Sequence, residues 1–315
     1  MLETLQIMAH KIHTAWGTSD GYGPDDSPFP LQGILQGNGA GPCIWLVISV
    51  IVFSMMRDEG FGMKFITPWT REKGHIVGFA IVDDADLAES QVDVNATGPN
   101  NLVQAQKALD HWEGGIRATG GAIVPDKSHW YYVDFEWKQG KWSYVRFRAD
   151  RVLTVLNEFG TRVDVDQVPL NEARRTLGVY LAPDGSNTQM KQILLEKAKE
   201  WAEQIRVRHL GRKETWRALS STIMQTIEYP LLSATFTQQD TMDIMKPILK
   251  QGLSQSGLAN TFPRQVLYSP KKFLGLGLKD PYTSQNIKQI LALLTYFESP
   301  CMTGQLLRLN WESLL

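Results

Sequence analysis

Two adjacent aspartates, Asp83 and Asp84, carry the strongest chemical signal in this chain of 315 residues. They follow the apolar run from Ile76 to Val82, whose β-branched and aromatic side chains predict a buried strand. Neighbouring carboxylates at the end of such a strand repel each other and lose hydration, so a positive group normally compensates them. Mg²⁺ is the simplest such group, because it prefers oxygen ligands and shares them with phosphates. The pair alone leaves open an acidic hairpin turn with solvated side chains.

Three further blocks surround this pair in the sequence. A glycine-rich loop runs from Leu31 to Pro42 into an apolar helix, and a Gly-Gly pair stands ahead of Lys127. A Leu-Gly pair opens the apolar run 177–181, which predicts a strand. Glycine lets a backbone approach a phosphate closely, and amides ahead of a helix favour anions. Taken singly, the loop is also explained as a tight entry to a buried helix, and the lysine as a solvated surface residue.

In this order the blocks resemble the palm of a reverse transcriptase, and they are most similar to the non-long-terminal-repeat retrotransposon enzymes of algae, diatoms and fungi. The segment Phe273–Leu278 is similar to a Gly-Leu-Gly element that those proteins carry beyond the thumb. The resemblance covers nearly the whole chain. It implies an α+β fold, with a right-hand polymerase palm (an antiparallel sheet with packed helices) in residues 1–185 and an all-helical thumb in residues 186–315. From Asn187 onward the periodicity is helical, which agrees with this division: one apolar stripe is predicted, and further helices are predicted at about 214–227, 238–252 and 284–297. The stripe consists of Met190, Leu194, Trp201 and Ile205.

The resemblance also implies roles for single residues and a set of ligands. Asp83 would ligate the catalytic metals and Asp84 would support the site, with two Mg²⁺ or Mn²⁺ ions as cofactors. An RNA template and a DNA primer would be the partners, and Lys127 matches a lysine that protonates the pyrophosphate leaving group. The residues that would form the floor under the template and the incoming nucleotide are Gln36, Gly37 and Asn38.

The chain departs from this family pattern in two places. Ile81 stands where relatives have an aromatic residue, and the upstream strand that supplies another metal-binding aspartate has no counterpart in residues 1–30. Asp20, Asp25 and Asp26 lie in a Gly/Pro-rich loop without a preceding apolar strand, and the fingers segment is missing as well. We therefore expect no useful polymerase activity from this chain alone. A non-enzymatic nucleic-acid-binding or scaffold protein derived from a retrotransposon is the alternative, and a metal-dependent hydrolase, which lacks a recognisable general base, is a weaker third.

Two other segments are compatible with nucleic-acid binding. A basic segment on a predicted helix could neutralise backbone phosphates or could be an ordinary charged solvent face. Its positive residues are Arg206, Arg208, Arg212, Lys213 and Arg217. Residues 129–148 predict an aromatic hairpin with a turn at 138–141; its rings could stack on bases, but we expect them to pack against the palm.

Composition bounds the remaining possibilities. With 32 basic and 33 acidic residues the net charge is −1, so any site for a polyanion must be a local patch. Cys43 and Cys301 lie in apolar or helical contexts that predict buried thiols and an intracellular, reducing compartment. The stretch 40–56 is nearly free of charge but shorter than the ~20 residues of a spanning helix. We predict a core helix that starts at Pro42, and no membrane partner.

Overall fold

The computed structural model describes residues 13–14, 17–18, 41–81, 84–90, 98–119, 121–145, 152–157 and 159–314. These residues group into two compact units. The first draws on residues up to Phe65, Lys73–Trp130 and the stretch from 152 to Gln167; the second draws on Ile66–Glu72, Tyr131–Val145 and the chain from Val168 onward. The predicted division of palm from thumb at residue 185 stays a prediction.

The described residues form a mixed α/β protein in which all described strands lie before residue 182 and most of the helices follow it. In chain order the strands are β1 (His13–Thr14), β2 (Gly17–Thr18), β3 (Met63–Ile66), β4 (Lys73–Ile76), β5 (Gly78–Ile81), β6 (Asp84–Leu87), β7 (His129–Trp130), β8 (Phe135–Lys138), β9 (Lys141–Tyr144), β10 (Thr154–Leu156), β11 (Arg162–Asp164), β12 (Asp166–Gln167), β13 (Arg174–Thr176) and β14 (Val179–Leu181). The helices are α1 (Gly41–Asp58), α2 (Gly98–Ala118), α3 (Thr188–Val207), α4 (Arg212–Arg217), α5 (Met224–Glu228), α6 (Gln238–Gln255), α7 (Arg264–Tyr268), α8 (Pro281–Tyr296) and α9 (Met302–Leu314).

The strands pair two by two in small sheets. The hairpins β5–β6, β8–β9, β10–β11 and β13–β14 are antiparallel, whereas β7 and β12 pair in parallel, with His129 opposite Asp166. Small antiparallel sheets with packed helices agree with the mixed class that the sequence predicted.

The core of the first unit forms where α1 packs against α2. Val52 and Met56 of α1 are buried beside Trp112, whose ring centroid lies 5.0 Å from that of Phe53. Gly115 allows this close approach, because a Cβ atom there would lie 2.8 Å from a methyl group of Val52.

Polar side chains of α2 hold the strand β10. The Gln106 side chain accepts from the backbone N–H of Thr154 and donates to its carbonyl oxygen, both at 2.8 Å. The buried Glu113 carboxylate accepts from the Leu156 N–H at 2.6 Å. These bonds satisfy backbone groups that a neighbouring strand would otherwise pair.

The prediction that 40–56 forms a fully buried core helix is wrong for one face of α1. Ser49, Val52 and Met56 are buried, but the side chains of Val47 and Ile51 are more than half exposed. Because all faces of this helix are apolar, the sequence pattern could not show which face α2 would cover. Among the described residues, α1 is the one helix long and apolar enough to cross a membrane by length and composition, a test that a soluble core helix also passes.

The core of the second unit is helical. Met190, Leu194 and Ile205 of α3 are buried and Trp201 is half-buried, which confirms the predicted stripe, and α3 packs against α6. A capping box of Thr237 and Asp240 starts α6.

The helix predicted over 214–227 is longer than expected. It begins at Arg212 with α4 and passes through a π-helical turn, Ala218–Ile223, into α5. The buried side chains of Leu219 and Ile223 fix this turn in the core of the second unit.

Two local predictions need correction. Leu177 does not begin a strand: Leu177 and Gly178, with φ of 51° and 83°, form the turn between β13 and β14. Neither thiol is buried, because Cys43 and Cys301 are both exposed near helix starts. A hydrogen bond from the Ser299 side chain and backbone N–H groups at the start of α9 lower the pKa of the Cys301 thiol.

Candidate metal and nucleic-acid site

The candidate metal site lies on the β5–β6 hairpin of the first unit. Ile81 pairs with Asp84 and Phe79 pairs with Asp86, so residues 82–83 connect the two strands. A two-residue connection is the tightest common hairpin loop. Residues directly opposite each other in an antiparallel pair share a face of the sheet, so Asp84 and Asp86 lie on the same face as Phe79 and Ile81.

This face is open to solvent. Phe79 and Ile81 are 50% and 51% exposed, and Asp84 is exposed beside them. The predicted buried strand is therefore buried at Ile76 and Val77 but only half covered along β5. An exposed carboxylate next to the connection is accessible to a cation or to a phosphate-bound metal.

The opposite face of the hairpin packs on α1. A Cβ atom at Gly78 would lie 2.2 Å from the Asp86 carbonyl oxygen and 3.1 Å from the Phe53 ring, so only glycine fits there. The Ala88 N–H donates to the Val77 carbonyl oxygen at 2.8 Å and extends the pairing beyond the hairpin. This close packing and the Ala88–Val77 hydrogen bond together fix the position of the hairpin on α1.

Asp86 is the carboxylate with the most perturbed environment on this face. Desolvation of its carboxyl group raises the pKa, the charge of His129 lowers it, and the charge of Asp84 raises it further. Burial is therefore the main reason why the charged form of Asp86 is disfavoured here, and the nearby Asp84 carboxylate adds to it.

Lys127 lies in the loop that precedes β7. Lys127 ends a short 3₁₀ turn, Pro125–Lys127, and its side chain is exposed without an ion pair in the described part of the chain. Two residues later His129 begins β7 and acts on the Asp86 carboxyl group. The connection between Lys127 and the hairpin face is thus one of sequence, through His129.

The other predicted residues of this site lie outside the described residues. These are Asp83 and the three members of the glycine-rich block, Gln36, Gly37 and Asn38. Within the described ranges, which leave out Asp83, no group of three or more His, Cys, Asp or Glu side chains is placed to hold a metal.

Sequence reasoning missed two contributors to this face. Neither Asp86 nor His129 belongs to the predicted site, yet in the structure the charges of His129 and Asp84 both act on the Asp86 carboxyl group. The spacing of Asp84 and Asp86 was the available signal, because residues two apart on a strand share a face. Nothing in the sequence linked His129 to them.

The basic segment lies in the second unit, where α3 ends and α4 begins. Its five positive side chains are all exposed, on two helix ends joined by a turn at His209 with φ of 47°. The Arg206 guanidinium pairs with the Glu203 carboxylate, whose charge raises the pKa of Arg206. Four positive side chains have no ion pair within the described residues: Arg208, Arg212, Lys213 and Arg217.

Exposed cations without counter-ions are the residues that contact nucleic-acid phosphates in a sequence-independent way. Residues 206–217 contain one carboxylate, Glu214, and the preceding Glu203 pairs with Arg206. The segment is therefore a local positive patch in a chain that is nearly neutral as a whole.

The expected packing of the aromatic hairpin is wrong. The hairpin forms as predicted, with a turn at Gln139 and Gly140, but the rings of Trp137 and Trp142 are 59% and 67% exposed. Residues 129–130 do not extend it, because β7 pairs with β12 instead.

No known protein family matches the chain, and no curated protein is significantly similar to it. The function therefore has to be argued from the residues themselves.

Proposed function

We propose that the chain is a reverse-transcriptase-type palm and thumb, an RNA-directed DNA polymerase domain by ancestry whose intact relatives act on an RNA template and a DNA primer. The observation that supports this most strongly is the β5–β6 hairpin, in which a two-residue connection holding Asp83 leads directly into Asp84 on an open face. The ordered glycine-rich, Asp-Asp, lysine and Leu-Gly blocks support it further.

The residues fit a site for divalent cations. Asp83 and Asp84 would hold Mg²⁺ or Mn²⁺, and the metal pair would stabilise the attacking and leaving oxygens of a nucleotidyl transfer. The observation in favour is the position of Asp84, which is exposed on the open face of β6 directly after the 82–83 connection that includes Asp83. Lys127, exposed and close in sequence to His129, would donate a proton to the leaving pyrophosphate.

The proposal includes an expectation of inactivity for these 315 residues by themselves. A two-metal site takes a carboxylate from a separate strand, and no aspartate upstream of the glycine-rich block follows an apolar strand. Electrostatic contributions of this kind are worth about 3–4 kcal/mol each, or about a hundred- to a thousand-fold in rate. Primer extension should therefore be undetectable with the chain alone.

A second candidate function is binding of nucleic acid without catalysis. The four unpaired positive side chains around the α3–α4 turn favour it, since they serve phosphate binding whether or not the metal site is complete. In this case the retrotransposon-derived fold would act as a scaffold or binding module.

Filter binding to an RNA–DNA hybrid over a series of salt concentrations tests both candidates. We expect affinity that falls steeply with salt, and a slope of log K against log salt that is smaller by about 0.9 for each of Arg208→Ala and Arg212→Ala. Lys246→Ala, which removes an exposed cation from α6, should leave the slope unchanged. Absence of salt-dependent binding would remove the binding candidate, and primer extension by the chain alone would overturn the expected inactivity.

A further inference from the structure

Residues 66–72, which lie between β3 and β4 in the chain, are bound by the helix α9 of the same unit. The Glu312 carboxylate accepts hydrogen bonds from the backbone N–H groups of Trp69 and Thr70, at 2.8 Å and 3.0 Å. It also accepts from the Thr70 hydroxyl group at 2.6 Å, and the Trp69 indole N–H donates to the Glu312 carbonyl oxygen at 3.2 Å. One buried carboxylate near the end of α9 therefore satisfies several polar groups of a distant loop.

Arg308 makes the second attachment between α9 and this loop. Its Nε and one terminal nitrogen each lie 2.7 Å from a carboxylate oxygen of Glu72. The other terminal nitrogen donates to the carbonyl oxygens of Phe297 and Ser299, between α8 and α9. A guanidinium that contacts both carboxylate oxygens is held more firmly and in a more defined direction than a single-point ion pair. We call the four residues Thr70, Glu72, Arg308 and Glu312 the clasp.

Apolar burial contributes less to the attachment of α9 than these polar contacts do. Of the described residues of α9, only Gly304 and Glu312 are buried. The three leucines near its middle, Leu306, Leu307 and Leu309, are partly buried. The helices α3 and α6, in contrast, supply many of the buried apolar side chains of the second unit. An element with few buried apolar contacts opens more readily than the core beside it.

The clasp also encloses a strained residue of the loop. Arg71 has a φ of 57°, a left-handed conformation that is unfavourable for a residue other than glycine. The residues on both sides of it, Thr70 and Glu72, are the two loop members of the clasp. Such strain persists where the surrounding contacts hold it, so the strained loop is favoured while the clasp is closed.

We propose that α9 is a detachable strap, which opens and closes together with residues 66–72 while the helical core of the second unit stays folded. Closing fixes the loop in its strained conformation, in which the Trp69 ring is 69% exposed and the Arg71 side chain faces solvent. Opening frees α9 and lets Arg71 relax. The strap operates in this way whether or not the chain binds nucleic acid.

Hydrogen–deuterium exchange of the full wild-type chain, followed by mass spectrometry, tests this proposal without any variant. We expect peptides that cover 66–72 and 302–314 to exchange through one shared opening, at least about tenfold faster than peptides of α3 and α6. The same protection in all four segments would overturn the proposal, because α9 would then open only when the whole unit unfolds. Exchange in α9 while the loop stays protected would overturn it as well.

Variants of the clasp assign the opening to these side chains. Glu312→Ala and Arg308→Ala should each speed exchange in both segments by about tenfold or more, because hydrogen bonds to charged groups are lost. Arg308→Lys keeps the charge without the two-nitrogen contact and should have a smaller effect in the same direction.

Glu298→Ala is the matched control, because it removes an exposed carboxylate between α8 and α9 and should leave exchange unchanged. Unchanged exchange in both Glu312→Ala and Arg308→Ala would overturn the proposal. An equal acceleration in α3 and α6 would also overturn it, because the clasp would then stabilise the unit as a whole and not a separate strap.

Discussion

Single side chains determine the electrostatics of the candidate metal site. Asp84 and Asp86 share the open face of β6, His129 acts on Asp86, and Lys127 precedes His129 by two residues. The Asp-Asp pair and the lysine could be predicted from residue types and order. The effect of His129 on Asp86 could not, because the two residues lie far apart in sequence and no motif links them.

Asp86→Asn should stabilise the folded chain slightly at neutral pH. The pKa of Asp86 is raised in the folded state, so ionisation costs stability as the pH rises from the ordinary value near 3.8 through the folded value. Because the residue is exposed, solvent screening limits the gain in the free energy of unfolding to at most about 0.5 kcal/mol.

Urea unfolding at pH 7 and pH 3 measures this gain. The gain should be present at pH 7 and absent at pH 3, where the protonated Asp86 carboxyl group and the amide that replaces it are both neutral. Asp164→Asn, an exposed aspartate on β11, serves as the control and should change stability at neither pH. A loss of stability for Asp86→Asn at pH 7 would show that the ionised carboxylate is favourable in the fold.

At the scale of elements, the sequence predicts where strands and helices form better than which of their faces are covered. The aromatic hairpin followed from alternating strand-forming residues around a Gln-Gly turn, but aromatic residues favour a strand whether it is buried or exposed. The helix α1 followed from its unbroken apolar run, and its exposed face did not. The strand predicted from Leu177 begins at Val179 instead, because Leu177 and Gly178 form the turn of the β13–β14 hairpin.

Gly114 and Gly115 offer a matched test of the α1–α2 contact. Gly114→Ala meets no atom within 4 Å and should raise the free energy of unfolding by about 0.5–1 kcal/mol, the usual gain for alanine over glycine in a helix. Gly115→Ala would place its Cβ 2.8 Å from Val52 and should cost about 1–3 kcal/mol through overpacking.

Chemical denaturation of the two variants side by side checks this contact. Equal stabilisation by both alanines would mean that the helices do not pack closely at this point.

Asp240→Asn should destabilise the second unit, where Asp240 joins α3 to the start of α6. The Lys191 ammonium lies 2.5 Å from its carboxylate and, with the Thr237 hydroxyl, lowers the pKa of Asp240 from 3.8 to about 2. Ionised Asp240 therefore stabilises the fold above about pH 4, and this contribution is lost as the pH falls towards 2. At pH 7 the substitution should cost about 1–2 kcal/mol.

Thermal unfolding from pH 7 down to pH 2 follows the loss of this contribution, and the difference between wild type and Asp240→Asn should shrink below pH 4. Asp243→Asn is the control, because Asp243 lies 3.5 Å from Lys191 and is more exposed; its effect should stay within about 0.5 kcal/mol. Equal effects of the two substitutions would remove the special role of Asp240.

For the whole molecule, near-neutral charge conceals local patches of opposite sign. The first unit bears the acidic face of β6, and the second unit bears the basic α3–α4 turn. Such segregation suits a protein that holds metal ions in one place and a nucleic-acid backbone in another. Composition alone did not favour a nucleic-acid partner, since only the distribution of charge distinguishes these patches.

We propose that Asp83 and Asp84 together form a divalent-cation site. A Mn²⁺ titration in the presence of an RNA–DNA hybrid tests this site most directly. We expect the wild type and Asp164→Asn to bind Mn²⁺ with the same affinity, and we expect Asp83→Asn and Asp84→Asn to bind it at least about tenfold more weakly. Identical Mn²⁺ binding by all four proteins would contradict the account, because the aspartate pair would then be an ordinary hairpin turn.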